Sequence, residues 1–436
     1  MREEPTRRRR CRHGFACGES LKRTALYASV IESPTHLDLA QLLTAVEDAP
    51  PFSAADVLGE RLAAELDAHE VSFLIADFSG HALIRLGHAG RRAATRTQGV
   101  ETADRVPLVG SAPGRALASQ AVVVEPEDDG ARVFAPVTNR GEAIGVLELL
   151  LGEEPDEHVL EEVAFAAHAM AYVIIANRRF TDLFEWGQRS VPLSLAAEIQ
   201  HRLLPGAYTC EAGQFTLAGW LEPAGEVGGD TFDFALDRGV LHFSLTDAMG
   251  HEVGAAVLAT LLVGGLRNAR RAGAGLAEQV RRASDGLAAN AAASGFVTGL
   301  VGRIDLRTRT AAIVNAGHPL PLRLRDGRVD HVPLEADPPF GTVPGYEYRV
   351  QTLPLDPGDR LLLFTDGMVE RNTTEVDVKE MVSSGARLHP REAVQHLTQA
   401  ILEATGGELH DDATALCLDW HGGAQRDRTT DAGANR

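Results

Sequence analysis

Apolar positions along this chain change their spacing several times, and the changes mark out its elements. Over Ala54–His69 they fall at Val57, Leu58, Leu62 and Leu66, the period of one helical face. Val71–Asp77 is a short apolar run closed by Ser79-Gly80 and reads as a strand. Val122–Val124, Val133–Val137 and Ala143–Leu151 read as three more, the last two joined by a turn at Asn139–Gly141. Asp156–Trp186 reads as one long helix whose stripe of Val159, Leu160, Val163, Ala167, Met170, Ile174, Leu183 and Phe184 is longer than one small domain needs. A shorter helix at Leu193–Leu204 lies between Pro192 and Pro205-Gly206.

Beyond Pro205 the spacing alternates between strand and helix. Strands are expected at Phe215–Leu221, Val240–Leu245, Phe296–Asp305, Thr310–Asn315, Tyr348–Leu353, Arg360–Phe364 and Ala413–Asp419. Helices are expected at Val253–Arg271, Leu276–Ala292 and Arg391–Leu402. Strands joined by short turns, with helices arriving in a run, favour antiparallel sheets with helices stacked outside them, an α+β architecture.

Length and charge narrow the functional classes. At 436 residues the chain is long enough for two or three domains. Its net charge is −19, which argues against duplex nucleic acid as the main partner because phosphate binding needs clustered cations. Six arginines (Arg2, Arg7–Arg10 and Arg12) stand in the first twelve residues, so the rest is more acidic than the whole; that basic run reads as a solvated tail. No apolar stretch reaches the roughly 18 residues of a spanning helix, and no secretory signal is evident, so no membrane is expected. Four cysteines make no disulfide framework, and a cytoplasmic location is the simplest expectation. Cys11, His13 and Cys17 lack a fourth zinc ligand at any standard spacing. The chain has two lysines, Lys22 and Lys379, neither in a Gly-rich phosphate loop, which removes a Walker-type kinase.

Part of the acidity is ordered. Gly228-Gly229-Asp230-Thr231-Phe232-Asp233 sets two acids three apart after a double glycine. The apolar strand through Leu245 delivers Asp247 at its end, Leu361–Phe364 delivers Asp366-Gly367, and Asp411-Asp412 precedes the strand from Ala413. Carboxylates gathered at buried strand ends repel one another and are expensive to desolvate. A divalent cation removes that cost, and an oxygen-only donor set points to Mg²⁺ or Mn²⁺ rather than zinc. Each Asp taken singly is equally well a turn or capping residue; the ordered set is what carries the metal reading.

Two resemblances follow. Ser111-Ala112-Pro113-Gly114-Arg115-Ala116-Leu117 and Ala135-Pro136-Val137 through Gly141 to Ile144-Gly145-Val146-Leu147 resemble a GAF sensor domain, which implies an unknown small ligand or partner there. No cysteine falls within 51–180, so a thioether-linked bilin inside that domain is removed. The second half resembles a PPM-family (PP2C-like) metal-dependent protein phosphatase of the bacterial SpoIIE type. The carrying residues are Glu198-Ile199-Gln200 through Leu203-Leu204-Pro205, Gly228-Gly229-Asp230, Asp247-Ala248-Met249-Gly250-His251, Asn315–Pro319, Thr365-Asp366-Gly367 and Asp411-Asp412-Ala413-Thr414.

That resemblance implies two antiparallel sheets sandwiched by helices, and two Mn²⁺ or Mg²⁺ ions held by Asp230, Asp247, the main-chain oxygen of Ala248, Asp366 and Asp411. Gly229, Asp233, Gly367 and Asp412 take supporting roles, and Glu198, Gln200 and Leu204 belong to a regulatory helix. It further implies a phosphorylated protein substrate, an anti-anti-sigma (STAS-type) protein in a partner-switching pathway. Two departures stand out. Glu252 replaces the family's usual Gly, which leaves a phosphoprotein-binding pseudophosphatase as the alternative, and Met249 takes the slot where the eukaryotic branch has a histidine acid, leaving His251 and His318 as candidates. The expected organisation is a lead-in at 1–50, a GAF-like sensor at 51–179, a linker and regulatory helix at 180–205, the phosphatase at 206–421 and a tail at 422–436. The apolar stripe of the long helix predicts a homodimer.

Overall fold

The structure is a computed structural model, and it describes residues 38–78, 80–90, 104–189, 193–223, 228–250, 252–290, 295–369, 376–407 and 409–423. The Arg-rich start, Pro192, His251 and most of the expected tail lie outside these residues. Two helices open the described chain, α1 (Leu39–Asp48) and α2 (Ala54–Glu65). The first falls within the expected lead-in and corrects its extent. Asp38 caps it by accepting from the amides of Ala40 and Gln41, and Leu42 and Val46, four apart, are buried in the N-terminal core.

A six-stranded antiparallel sheet follows, built from β1 (Glu70–Ala76), β2 (Ala82–Gly90), β3 (Arg105–Pro107), β4 (Val123–Glu127), β5 (Gly130–Asn139) and β6 (Glu142–Leu151) in the order 3-2-1-6-5-4. The helix α3 (Ala112–Ser119) covers one face, and α1, α2 and α4 (Glu157–Asn177) cover the other. The expected β5–β6 hairpin is present. Its turn needs two residues with positive φ, Arg140 at 49° and Gly141 at 80°, the twist that suits adjacent antiparallel strands.

The long helix expected to reach Trp186 is broken instead. It ends at Asn177, and a second helix, α5 (Leu183–Gly187), begins after a bend where Arg178 turns away to donate to the carbonyl of Gly206 at 2.6 Å. By length and mean hydropathy (1.6) α4 equals a membrane-crossing helix, but Val163, Ala167, Met170 and Ile174 are buried in the N-terminal core.

After α6 (Leu195–Leu203) comes a four-layer sandwich. One sheet orders β7 (Thr209–Ala212), β8 (Phe215–Glu222), β13 (Leu322–Arg325), β14 (Arg328–His331), β16 (Asp359–Phe364) and β17 (Ala413–Trp420) as 14-13-16-17-8-7. The other orders β9 (Asp230–Asp237), β10 (Val240–Ala248), β11 (Val297–Asp305), β12 (Thr310–Ala316) and β15 (Gln351–Pro354) as 15-12-11-10-9. Alternation in each strand splits the packing. Leu241, Phe243 and Leu245 of β10 meet Leu416, Leu418 and Trp420 of β17 between the sheets. The outer faces are covered by α7 (Glu252–Arg271) and α8 (Leu276–Ala288) on one side and by α9 (Val378–Ser384) and α10 (Pro390–Ala404) on the other. This is the α+β sandwich expected for the second half.

The two domains touch directly. The β5–β6 turn meets β7 and α10: the Glu142 carboxylate accepts from the amides of Tyr208 (3.0 Å) and Thr209 (2.6 Å), and Arg391 donates to the Gly141 carbonyl at 2.6 Å. Across the linker, Arg202 of α6 binds Glu185 of α5 at 2.7 and 2.5 Å, and Arg189 reaches Glu198 at 2.8 Å.

Candidate active site

The register of β9 and β10 pairs Asp230 directly with Asp247. Residues opposite one another share a face, so both carboxylates project between the sheets, on the side occupied by Phe232 and Leu245. The other sheet brings Asp366 immediately after β16 and Asp411-Asp412 immediately before β17, two strands that pair with each other. Four strand ends thus deliver acids to one edge of the sandwich.

Their mutual effect is large. Burial pushes the Asp247 carboxyl up to about 7, reinforced by Asp366, Asp411 and Asp412. Asp230 is raised well above the ordinary aspartate range by burial, then by Asp247 and Asp412, against the opposing bond from Thr365. Among the described residues no cationic side chain pairs with Asp230 or Asp247.

Several neighbours hold this arrangement. The Thr365 hydroxyl donates to Asp230 Oδ2 at 2.7 Å while accepting from the Thr414 amide at 3.0 Å, which links the two sheets. Gln200 of α6 places one Nε2 between the Asp230 carbonyl (2.8 Å) and Asp412 Oδ2 (2.6 Å). The same Asp412 oxygen accepts from the Gly229 amide at 3.2 Å, and the Asp412 amide donates to Asp411 Oδ1 at 2.8 Å. A helix side chain is therefore bonded to both sides of the carboxylate set. Both glycines assigned supporting roles are sterically required. A Cβ at Gly229 would stand 2.6 Å from the Ala248 carbonyl oxygen, and one at Gly367 would collide with the Asp412 carbonyl.

The other expected residues divide. Asp233 is not at this edge. Three residues along a strand reverses the face, and Asp233 points outward to α7, where Arg267 (2.8 Å) and Arg270 (3.3 Å) pair with it. Arg267 also donates to the Leu203 carbonyl at 2.5 Å, so this acid anchors α6 and α7 to the sheet. Glu198 forms ion pairs with Arg189 and Arg202; burial would raise its carboxyl, but those guanidinium bonds outweigh it and hold it low. Leu204 lies one residue past α6, as its cap, with its side chain in the core between the sheets.

His318 is buried, and its ring is held near pKa 4 by that burial. Nδ1 is 3.0 Å from the Thr298 hydroxyl, and the His318 amide donates to Asn315 Oδ1 at 2.8 Å, which makes it a turn residue rather than an acid facing substrate. Met249 is exposed, as its place after the strand end requires. Glu252 opens α7, and its side chain lies outside the described residues, as does His251.

Among the described residues, no group of three His, Cys, Asp or Glu side chains could by itself hold a metal ion. The donor set nevertheless fits a hard divalent cation: the paired carboxylates of Asp230 and Asp247 without a cationic side chain, and the Ala248 carbonyl oxygen, which the absence of a side chain at Gly229 leaves uncovered. Thr365 and Thr414 are the functional neighbours that were not singled out, although both stand inside the quoted motifs.

Residues 237–421 match the family model described as Stage II sporulation protein E (SpoIIE), a stretch that contains Asp247, Asp366 and Asp411 and begins after Asp230. The chain is 22% identical over 232 residues to the phosphoserine phosphatase RsbU of Bacillus subtilis (strain 168), covering 52% of this chain and 69% of that one. The RsbU and RsbW domains of a Mycobacterium tuberculosis protein align at 24% identity and TM-score 0.44 over 52% of this chain and 64% of theirs. The PP2C phosphatase domain of SpoIIE from Bacillus subtilis, with a fragment of its regulatory domain, aligns at 18% and 0.43 over 49% of this chain and 66% of that one. This chain therefore spans slightly under two thirds of the length of those two solved relatives. The stretch that matches the SpoIIE model thus lies within the two-sheet sandwich, and the likeness belongs to the second half of the chain.

Proposed function

We propose that this protein is a metal-dependent protein serine/threonine phosphatase whose N-terminal GAF-like domain sets its activity. The observation that carries the reading is the convergence of acids at one edge of the sandwich, with Asp230 paired directly to Asp247 and Asp366 and Asp411 at the ends of the paired strands β16 and β17. Asp230, Asp247, the Ala248 carbonyl, Asp366 and Asp411 would hold the ions. When bound, two divalent ions supply an activated water for in-line attack and offset the charge of the phosphoryl oxygens. The chain's own residues do the positioning. Thr365 fixes one Asp230 oxygen, Gln200 and the Gly229 amide fix Asp412, and Gly229 and Gly367 allow backbone to approach.

The substrate we propose is a phosphorylated STAS-type protein in a cytoplasmic partner-switching pathway. Support comes from the family resemblance and from a relative named as a phosphoserine phosphatase. Control by the sensor would pass through α6, since Gln200 touches the carboxylate set while Arg202 on the same helix is bound to Glu185. A second copy of the chain would cover Phe165 and Tyr172, exposed and seven residues apart on α4. Light scattering at high concentration should find a dimer, and a monomer would remove that part. Phosphate release from phosphorylated STAS proteins in Mn²⁺, with and without residues 1–190, tests the function and the sign of control. Absence of release from every phosphoprotein at saturating Mn²⁺ would overturn it.

A further inference from the structure

Strand β12 belongs to the sheet that carries Asp247, and β13 to the sheet whose strand β16 delivers Asp366. Residues 317–321 carry the chain from one sheet to the other, and the sequence fixes their path. Asn315, buried near the end of β12, accepts from the His318 amide at 2.8 Å and donates to the His318 carbonyl at 3.1 Å, which closes a tight turn. Gly317 takes φ 67° inside it, and a Cβ there would stand 3.1 Å from Pro339. Pro319 and Pro321 follow. Neither can donate to a ladder, so the chain leaves the first sheet before it joins the second.

The turn sets the buried His318 ring between the two halves of the carboxylate set. On one side, its Nδ1 lies 3.0 Å from the Thr298 hydroxyl. Thr298 is paired with Asp247 in the register of β10 and β11, so the two side chains are neighbours on one face of the sheet. On the other side, Leu322 of β13 pairs with Leu362 of β16, and His318 and Asp366 each lie four residues beyond that pair in the same direction. Burial disfavours the charged ring, and the carbonyl of Phe364, the last residue of β16, pulls the other way, which places that strand end against the ring. The ring therefore spans the gap. One sheet supplies Asp230 and Asp247 and the other Asp366 and Asp411, so ions shared between them depend on how far apart the sheets are held.

We propose that His318 is a positioning residue of the carboxylate site: its ring holds Thr298, the cross-strand neighbour of Asp247, at a fixed distance from the strand end that delivers Asp366. The inference rests on the phosphatase reading and adds to it a spacer between the sheets. His318 touches neither substrate nor ion in this role. Removing a group that orients ligands in this indirect way costs about 10–100-fold in metal affinity or activity.

Four variants of the full chain test it. Thr298→Val removes the hydroxyl and Thr298→Ser keeps it; His318→Ala removes the ring and His318→Asn keeps a polar atom near the Nδ1 position. Mn²⁺ affinity, read from the electron paramagnetic resonance of the unbound ion, should fall by about 10–100-fold in Thr298→Val and His318→Ala. Thr298→Ser and His318→Asn should recover most of that loss. Phosphate release should follow the same order at limiting Mn²⁺ and converge at saturation. If His318→Ala does not fold, the two Thr298 variants decide. A loss confined to the melting temperature of the metal-free protein, with Mn²⁺ affinity unchanged, would overturn the proposal, as would equal losses in Thr298→Ser and Thr298→Val. Wild type that binds Mn²⁺ and releases phosphate beside variants that do so equally well removes the positioning role and keeps the phosphatase reading. Wild type that does neither removes both.

Discussion

Strand β9 carries two buried aspartates three residues apart, and its two faces treat them in opposite ways. Asp233, on the outer face, meets Arg267 and Arg270. Asp230, on the inner face, meets Asp247 and Asp412, with a hydroxyl from Thr365 as its side-chain donor. Other buried acids follow the Asp233 pattern: Glu148 pairs with Arg132, Asp337 with Arg349, and Asp359 with Arg325. In these four cases a buried acid that serves the fold meets an arginine, whereas Asp230 and Asp247 meet further acids where the strand ends converge. A site built that way calls for a cation from outside.

The strongest way to break that contrast is at the inner face. Asp247→Asn or Asp366→Asn should abolish Mn²⁺-dependent phosphate release, measured on a phosphoprotein or a generic aryl phosphate. Near-normal turnover in either variant would end the metal assignment. One step outward, Gln200→Ala removes the donor to Asp412 and should lower Mn²⁺ affinity or activity by about 10–100-fold, with partial recovery at high Mn²⁺. Asp233→Asn should act on the fold instead. It should lower unfolding free energy by about 1.5–3 kcal/mol, read by denaturant titration, with turnover per folded molecule retained. A large loss of turnover in that folded variant would erase the distinction between the two faces.

Acidity provides a smaller and graded test. Because the folded Asp247 carboxyl titrates near 7, against 3.8 ordinarily, the metal-free folded state binds more protons than the unfolded state between those values. Its contribution to stability is therefore full below about pH 4 and is lost as pH rises towards 7. The melting temperature of metal-free wild type should fall relative to Asp247→Asn over that window, and the rise produced by Mn²⁺ should grow with pH. A parallel pH dependence in the two proteins would contradict the repulsion account.

Much of this was legible in the sequence, for reasons that can be named. Sandwich strands such as Val240–Leu245 and Arg360–Phe364 read correctly because each is bounded by turns, and the β5–β6 hairpin because Asn139–Gly141 supplies a turn that tolerates positive φ, whereas the short strands β7, β13 and β14 were not expected and Tyr348–Leu353 forms only as Gln351–Pro354. Asp247, Asp366 and Asp411 stood out in the sequence because each follows or precedes an apolar strand. What was missed depends on tertiary partners. The segment after Gly229 reads as a motif, and only pairing with β10 makes it a strand that turns Asp233 away from Asp230. The bend after Asn177 has no glycine or proline within 178–182, and it forms where Arg178 finds the Gly206 carbonyl. Helix α1 is anchored by two apolar residues that count only once the N-terminal core is present to receive them.

Titration of Mn²⁺ into metal-free wild type and Asp247→Asn, followed by calorimetry, tests the central claim most directly. The account predicts binding of about two ions to wild type, with affinity that increases as pH rises through 7, and loss of that binding in the variant. Equal Mn²⁺ binding by the two proteins, or none by wild type, would contradict it.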